Sequence, residues 1–114
     1  MSAANSNGAP ARAPLPIVIL ISGRGSNMRA IAERARDGKL DVQVRAVVSD
    51  KPQAGGLDIA ASLGIETRVL SPKEYASREA YDEALAALVD SYEPALVVLA
   101  GFMRILTPAF IERF

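Results

Sequence analysis

Short apolar runs alternate with amphipathic stretches along most of this chain. The runs predict four strands, at residues 17–22, 42–49, 66–70 and 95–100. The five consecutive apolar residues at 17–21 are typical of a strand buried on both faces of a parallel sheet. Between the runs, apolar positions recur at helical spacing, which predicts helices over residues 27–37, 57–63 and 78–92. A Thr-Pro pair at 107–108 predicts the start of a further helix.

This alternation predicts an α/β fold of the Rossmann-like kind, with a parallel sheet and helices on both of its faces. Right-handed crossovers allow the strand order 3-2-1-4. In that order the winding reverses between strands one and four, and ligands of such sheets bind above the carboxyl ends of the strands at the reversal. Residues 23–27 and 101–106 follow these two strands, so we expect them to lie side by side.

Residues 23–27, Gly-Arg-Gly-Ser-Asn, form what we call the glycine turn. Its glycines permit a tight turn and a close approach of a ligand to the backbone. Ser26 and Asn27 are expected to cap the first N–H groups of the next helix. Those N–H groups and the helix dipole favour an anion, most often a phosphate, although an ordinary tight connection has the same pattern. Met28 replaces the third glycine of a dinucleotide fingerprint, and no Gly-Lys-Ser/Thr follows as in a Walker A loop.

Residues 101–106, Gly-Phe-Met-Arg-Ile-Leu, form what we call the apolar loop. It places apolar side chains and one embedded arginine, Arg104, at the end of a strand. One interpretation is core packing beneath the last helix, with Arg104 solvated. The other is a flat apolar slot whose backbone groups hydrogen-bond a heterocyclic ligand.

Composition narrows the classes of function. The 114 residues allow one domain, and thirteen basic against thirteen acidic residues leave no net charge to attract nucleic acid or an anionic membrane. The chain has no histidine and no cysteine, which excludes an imidazole base and thiol chemistry from it and leaves no predicted metal site.

Residues 1–16 have no apolar period and are expected to form a disordered tail before a domain at 17–114. Neither a membrane span nor a secretory signal is predicted, so a cytoplasmic location is expected.

Three segments together resemble the phosphoribosylglycinamide formyltransferases, which are folate-dependent enzymes of de novo purine synthesis. They are Leu-Ile-Ser-Gly-Arg-Gly-Ser-Asn at 20–27, Ser-Arg-Glu-Ala-Tyr-Asp at 77–82 and Val-Val-Leu-Ala-Gly-Phe-Met-Arg-Ile-Leu at 97–106. The resemblance implies transfer of a formyl group from the cosubstrate 10-formyltetrahydrofolate to 5-phosphoribosylglycinamide. It implies small-molecule partners only, with no nucleic acid and no membrane, and a monomer or homodimer.

The resemblance also implies which residues bind these molecules. The ribonucleotide phosphate is expected at Gly25, Ser26 and Asn27. The pterin of the folate is expected along Met103, Arg104, Ile105 and Leu106, largely through backbone groups. Arg78 is expected near the benzoyl-glutamate end of the folate. A cation in the first turn of a helix opposes the dipole, and the alternative partner for Arg78 is Asp82, four residues on.

The family's catalytic Asn, His and Asp lie beyond the fourth strand, whereas this sequence stops at Phe114. The resemblance therefore implies a truncated formyltransferase fold that carries the substrate-binding half, has no catalytic residue and is inactive by itself. Two alternatives stay open. One is formyltetrahydrofolate hydrolase, although the apolar loop looks more like the transferase. The other is a noncatalytic module that binds a phosphate or nucleotide.

Overall fold

The structure is a computed structural model that describes residues 13–114. Its elements, in chain order, are β1 (Leu15–Ile21), α1 (Ser26–Arg36), β2 (Val42–Ser49), α2 (Gly55–Ser62), β3 (Thr67–Val69), a short 3-10 helix (Pro72–Glu74), α3 (Arg78–Asp90), β4 (Leu96–Leu99) and α4 (Pro108–Arg113). The four strands form one parallel sheet in the order β3-β2-β1-β4. The predicted α/β class and strand order are therefore confirmed.

The central strand β1 has one face in each of two hydrophobic cores. Ile17, Ile19 and Ile21 pack with residues of α1 and α2 on one side of the sheet. Val18 and Leu20 pack with residues of α3 and α4 on the other. Each of these side chains is at most 2% exposed, and burying one of them stabilises the fold by about 1.5–3 kcal/mol. The apolar run therefore holds the carboxyl end of β1 firmly between the two helical layers.

Several boundaries differ from the predicted ones. β1 begins at Leu15, and Leu15 and Pro16 pair with Val42 and Gln43 of β2, although both had been expected in the tail. Residues 1–12 of that predicted tail lie outside the described residues. α3 ends at Asp90, two residues before the predicted end. The turn that follows includes Glu93 with φ 51°, and Arg45 of β2 donates to the carbonyl oxygen of Tyr92 there at 2.7 Å. No helix of the described part of the chain is long and apolar enough to cross a membrane.

The start of α1 also differs from the expectation. Neither Ser26 nor Asn27 caps the helix, because the N-cap residue is Gly25, with φ 78° and no side-chain hydrogen bond. A Cβ atom at Gly25 would lie 2.6 Å from the Cα atom of Gly56 in α2. The backbone N–H of Gly56 also donates to the carbonyl oxygen of Gly23 at 3.0 Å. The glycine turn is therefore shaped by contact with α2, and the side chains of Ser26 and Asn27 are not used in capping.

Candidate functional site

The two loops that follow β1 and β4 share one cavity, which we call the central cavity. It has a volume of about 260 Å³ and is lined by Ser22, Gly23, Arg24, Gly25, Ser26, Asn27, Lys51, Ala100, Gly101 and Met103. The predicted juxtaposition of the glycine turn and the apolar loop is thus confirmed. It follows from the strand order, which places β4 next to β1.

The glycine turn is anchored on its inner side and open on its outer side. Gly25 is buried against α2, and Met28 is fully buried in the core. Ser26 and Asn27 are exposed and line the central cavity. The first N–H groups of a helix have no acceptor within the helix, and the helix dipole gives this end a partial positive charge. The turn therefore has the geometry and the electrostatics of an anion-binding helix end.

A single hydrogen bond joins the apolar loop to the end of β1. The backbone N–H of Met103 donates to Oγ of Ser22 at 2.8 Å. Ser22 is only 4% exposed, so its side of this bond is buried. This hydrogen bond holds the apolar loop on the other side of the central cavity from the glycine turn.

Side chains of the apolar loop point in different directions. Met103 and Ile105 are 77% and 76% exposed, which is unusual for large apolar residues. Phe102 and Leu106 are half-buried and pack against the core beneath α3. Of the two interpretations of this loop, core packing therefore applies to Phe102 and Leu106. Met103 and Ile105 offer an apolar surface to a ligand or to another segment of protein.

Arg104 is half-buried rather than solvated, and it stacks on Tyr81 of α3. Its Cζ atom lies 4.5 Å from the centre of the Tyr81 ring, a cation–π contact. The Tyr81 hydroxyl donates to the carbonyl oxygen of Leu70 at 2.8 Å. Burial is the main cause of a raised pKa for this hydroxyl, and the charge of Asp50 raises it further. Tyr81 therefore stays neutral and gives the guanidinium a fixed platform.

Asp82 fixes the other end of the apolar loop. It is 2% exposed, and its Oδ2 atom accepts a hydrogen bond of 2.6 Å from the backbone N–H of Thr107, at the start of α4. Tyr81 thus contacts the 97–106 segment through Arg104, and Asp82 contacts Thr107, the residue that follows this segment. Asp82 makes no ion pair with Arg78 within residues 13–114, so the alternative partner considered for Arg78 is not used.

Arg78 lies apart from the other predicted site residues. It is exposed at the first position of α3 and lines a cavity of about 430 Å³ between α3 and α4, together with Asp82, Thr107 and Arg113. Met103 lines the central cavity instead, and the Arg104 side chain lines a third cavity. The structure therefore brings Gly25, Ser26, Asn27 and Met103 together around the central cavity. Arg78 lies instead in the cavity between α3 and α4.

The third cavity, which we call the basic cavity, contains residues that sequence reasoning missed. It has a volume of about 710 Å³ and is bordered by the ends of β1, β2 and β3. Asp50, which is 5% exposed, and Lys51 follow β2 directly and line it. A signal was available in the sequence, because the carboxyl end of β2 lies at the same sheet edge as that of β1. The described residues contain no group of three or more His, Cys, Asp or Glu that could hold a metal ion.

Comparison with known proteins decides the family. Residues 15–114 match the family described as formyl transferase. The chain belongs to the formyl transferase family. It is 50% identical, over 98 residues, to phosphoribosylglycinamide formyltransferase of Escherichia coli (strain K12), an alignment that covers 86% of this chain and 46% of that protein. It is 38% identical, over 98 residues, to the human trifunctional purine biosynthetic protein adenosine-3, with 86% of this chain and 10% of that protein covered.

Solved structures agree with this family assignment. Glycinamide ribonucleotide transformylase 1 from Symbiobacterium toebii superimposes with a TM-score of 0.89 at 36% identity, covering 95% of this chain and 51% of that one. Phosphoribosylglycinamide formyltransferase from Coxiella burnetii, in complex with CHES, gives 0.83 at 43% identity, with 87% and 46% covered. This formyl transferase chain therefore spans about half the length of the bacterial relatives that it matches.

Proposed function

We propose that the protein transfers a formyl group from 10-formyltetrahydrofolate to the amine of 5-phosphoribosylglycinamide, and that residues 15–114 form its substrate-binding part. The observation that carries this proposal is the pairing of the glycine turn with the apolar loop across one cavity in a formyl transferase. One loop has the features of a phosphate site, and the other has those of an apolar ligand site. The bond between Ser22 and Met103 keeps them at a fixed separation.

The phosphate of the ribonucleotide would bind at Gly25, Ser26 and Asn27. The N–H groups of the first helical turn donate to phosphate oxygens, and the Asn27 side chain adds a further polar contact. Lys51 lines the same cavity and contributes a positive charge. This arrangement would leave the glycinamide end of the ribonucleotide free to point along the central cavity toward the apolar loop.

The folate would bind along residues 103–106. Its pterin ring requires an apolar surface, which Met103 and Ile105 supply, and hydrogen-bond partners, which the loop backbone supplies. Arg78 would bind a carboxylate of the glutamate end. Its exposure and its lack of an ion pair with Asp82 leave the guanidinium available for such a ligand. A folate would then have to extend from the apolar loop past Thr107 to the start of α3.

The groups that move protons in the reaction would come from outside residues 13–114. Formyl transfer needs a base near the amine and a donor for the tetrahedral oxyanion. The central cavity offers hydroxyl, amide, arginine and lysine side chains, and no carboxylate or imidazole that could act as the base. The described part of the chain would therefore bind and orient the two substrates. A cytoplasmic location, and a monomeric or homodimeric state, remain our predictions.

Two measurements test this function. The first is whether the gene's reading frame continues past Phe114 into an Asn-x-His-Pro segment. The second assays the protein in its natural length with 10-formyltetrahydrofolate, with and without 5-phosphoribosylglycinamide, and follows formylated ribonucleotide and free formate. We expect formylated product only when the ribonucleotide is present, and no turnover by the 114-residue chain alone. Release of formate without ribonucleotide would identify a hydrolase, and binding without either reaction would identify a noncatalytic module.

A further inference from the structure

The basic cavity has a concentration of positive charge that the whole chain does not have. Arg24, Lys51, Lys73 and Arg104 line it, against one carboxylate, Asp50. The chain as a whole is neutral, and it has three lysines, of which two line this cavity. Such a local excess of positive charge raises the local concentration of anions. The cavity therefore favours an anionic ligand.

Asp50 makes the chemistry of that ligand more specific. It is 5% exposed, and its Oδ1 atom has no hydrogen-bond partner within residues 13–114. The buried Nε atom of Arg104 also has no partner there. Buried polar groups without partners are unfavourable, so each is stabilised by a ligand that completes its hydrogen bonding. A suitable ligand must accept a hydrogen bond from Arg104 and donate one to Asp50.

The loop that carries Asp50 has a defined conformation. Oγ of Ser49, a fully buried residue, donates to the carbonyl oxygen of Lys51 at 2.9 Å and accepts from the Lys51 N–H at 3.0 Å. These two bonds enclose Asp50 in a tight turn. Ala54 and Gly55, at the N-terminus of α2, also line the cavity, and the dipole of this helix favours negative charge there. The loop that carries the carboxylate, and the Arg104 guanidinium stacked on Tyr81, are therefore held in place before any ligand binds.

We propose that the basic cavity is a second anion site that binds inorganic hydrogen phosphate. This anion has oxygens that accept from lysine and arginine, and a P–OH group that donates to the carboxylate of Asp50. Sulfate has the same shape but no proton at neutral pH, so Asp50 would repel it. The site differs from the proposed ribonucleotide site in Asp50 and Lys73, which line the basic cavity and not the central cavity, whereas Arg24 and Lys51 line both.

The test compares the two anions on the protein in its natural length. Backbone amide signals are followed by NMR during titrations with phosphate and with sulfate at neutral pH and constant ionic strength. Gly25, Ser26 and Asn27 report on the central cavity, whereas Asp50, Gly55 and Lys73 report on the basic cavity. We expect phosphate to shift both groups of signals. Sulfate should shift the first group, and at the basic cavity it should bind at least about tenfold more weakly than phosphate.

Variants then isolate the role of each group. Asp50→Asn provides an amide that donates to either anion, so phosphate and sulfate should bind the basic cavity with similar affinity. Lys73→Gln should weaken phosphate binding several-fold. Lys39→Gln, which changes an exposed lysine outside the cavity, is the matched control and should leave binding unchanged.

Two results would overturn the second site. One is equal binding of phosphate and sulfate to the unmodified basic cavity, and the other is a phosphate response confined to residues 25–27. Failure of the proposed function would look different. In that case the ribonucleotide would not shift residues 25–27, while phosphate would still shift Asp50, Gly55 and Lys73.

Discussion

Replacing Gly25 by alanine tests the structural basis of the glycine turn. Gly25 has φ 78°, a left-handed conformation that disfavours any side chain by roughly 1–2 kcal/mol. Its new Cβ atom would in addition lie 2.6 Å from the Cα atom of Gly56, a backbone atom that yields only if α2 moves. Overpacking of this kind destabilises by a further 1–3 kcal/mol or so. The total loss of unfolding free energy should therefore be about 2–5 kcal/mol.

Gly38→Ala is the matched control for this substitution. Gly38 has φ 75°, so it has the same backbone penalty, but a Cβ atom there would meet nothing within 4 Å. Gly38→Ala should therefore lower the unfolding free energy by only about 1–2 kcal/mol. Urea unfolding followed by circular dichroism measures both variants, with the shift in midpoint taken at constant m-value. Equal losses would refute the argument that contact with α2 dictates the glycine.

The remaining predictions concern ligands and pH. Asn27→Ala should weaken ribonucleotide binding by about 1 kcal/mol or more through loss of a polar contact to a charged group, as measured by calorimetry. Arg78→Ala should raise KM for the folate and leave KM for the ribonucleotide nearly unchanged, and loss of stability with unchanged folate kinetics would contradict it. Burial raises the pKa of Tyr81 in the folded chain above its ordinary value of about 10, so the unfolded chain loses this proton first as pH rises. The stabilisation that results is fully present below about pH 10 and is lost as pH rises above that value. Above about pH 10, the urea unfolding midpoint of Tyr81→Phe should therefore fall less steeply with pH than that of the unmodified protein.

The sheet and the loops at its carboxyl edge were predictable from local patterns. Apolar runs and helical periods identified the strands and helices, and crossover handedness limited their order. The predicted strand order therefore places the glycine turn next to the apolar loop. The resemblance carried by 20–27, 77–82 and 97–106 agrees with the family that residues 15–114 match.

Contacts between distant segments were not predictable in the same way. Gly25 is the N-cap because Gly56 lies against it, and no local pattern contains that approach. Arg104 was expected to be solvated in one interpretation of the apolar loop, and its contact with the ring of Tyr81, 23 residues earlier in the chain, is not contained in any local pattern. Asp50 lines the basic cavity because β2 and β1 end at the same edge of the sheet, and no local pattern around residue 50 indicates that position. In each case the tertiary neighbour determines the role of the residue.

The most direct test of the central claim is a titration of the protein, in its natural length, with 5-phosphoribosylglycinamide, followed through backbone amide signals. We predict saturable shifts at Gly25, Ser26 and Asn27, with a smaller response at Met103 across the central cavity. The same titration of Asn27→Ala should saturate at higher concentration. Saturable shifts confined to residues outside the central cavity would contradict the assignment of the glycine turn as the ribonucleotide phosphate site.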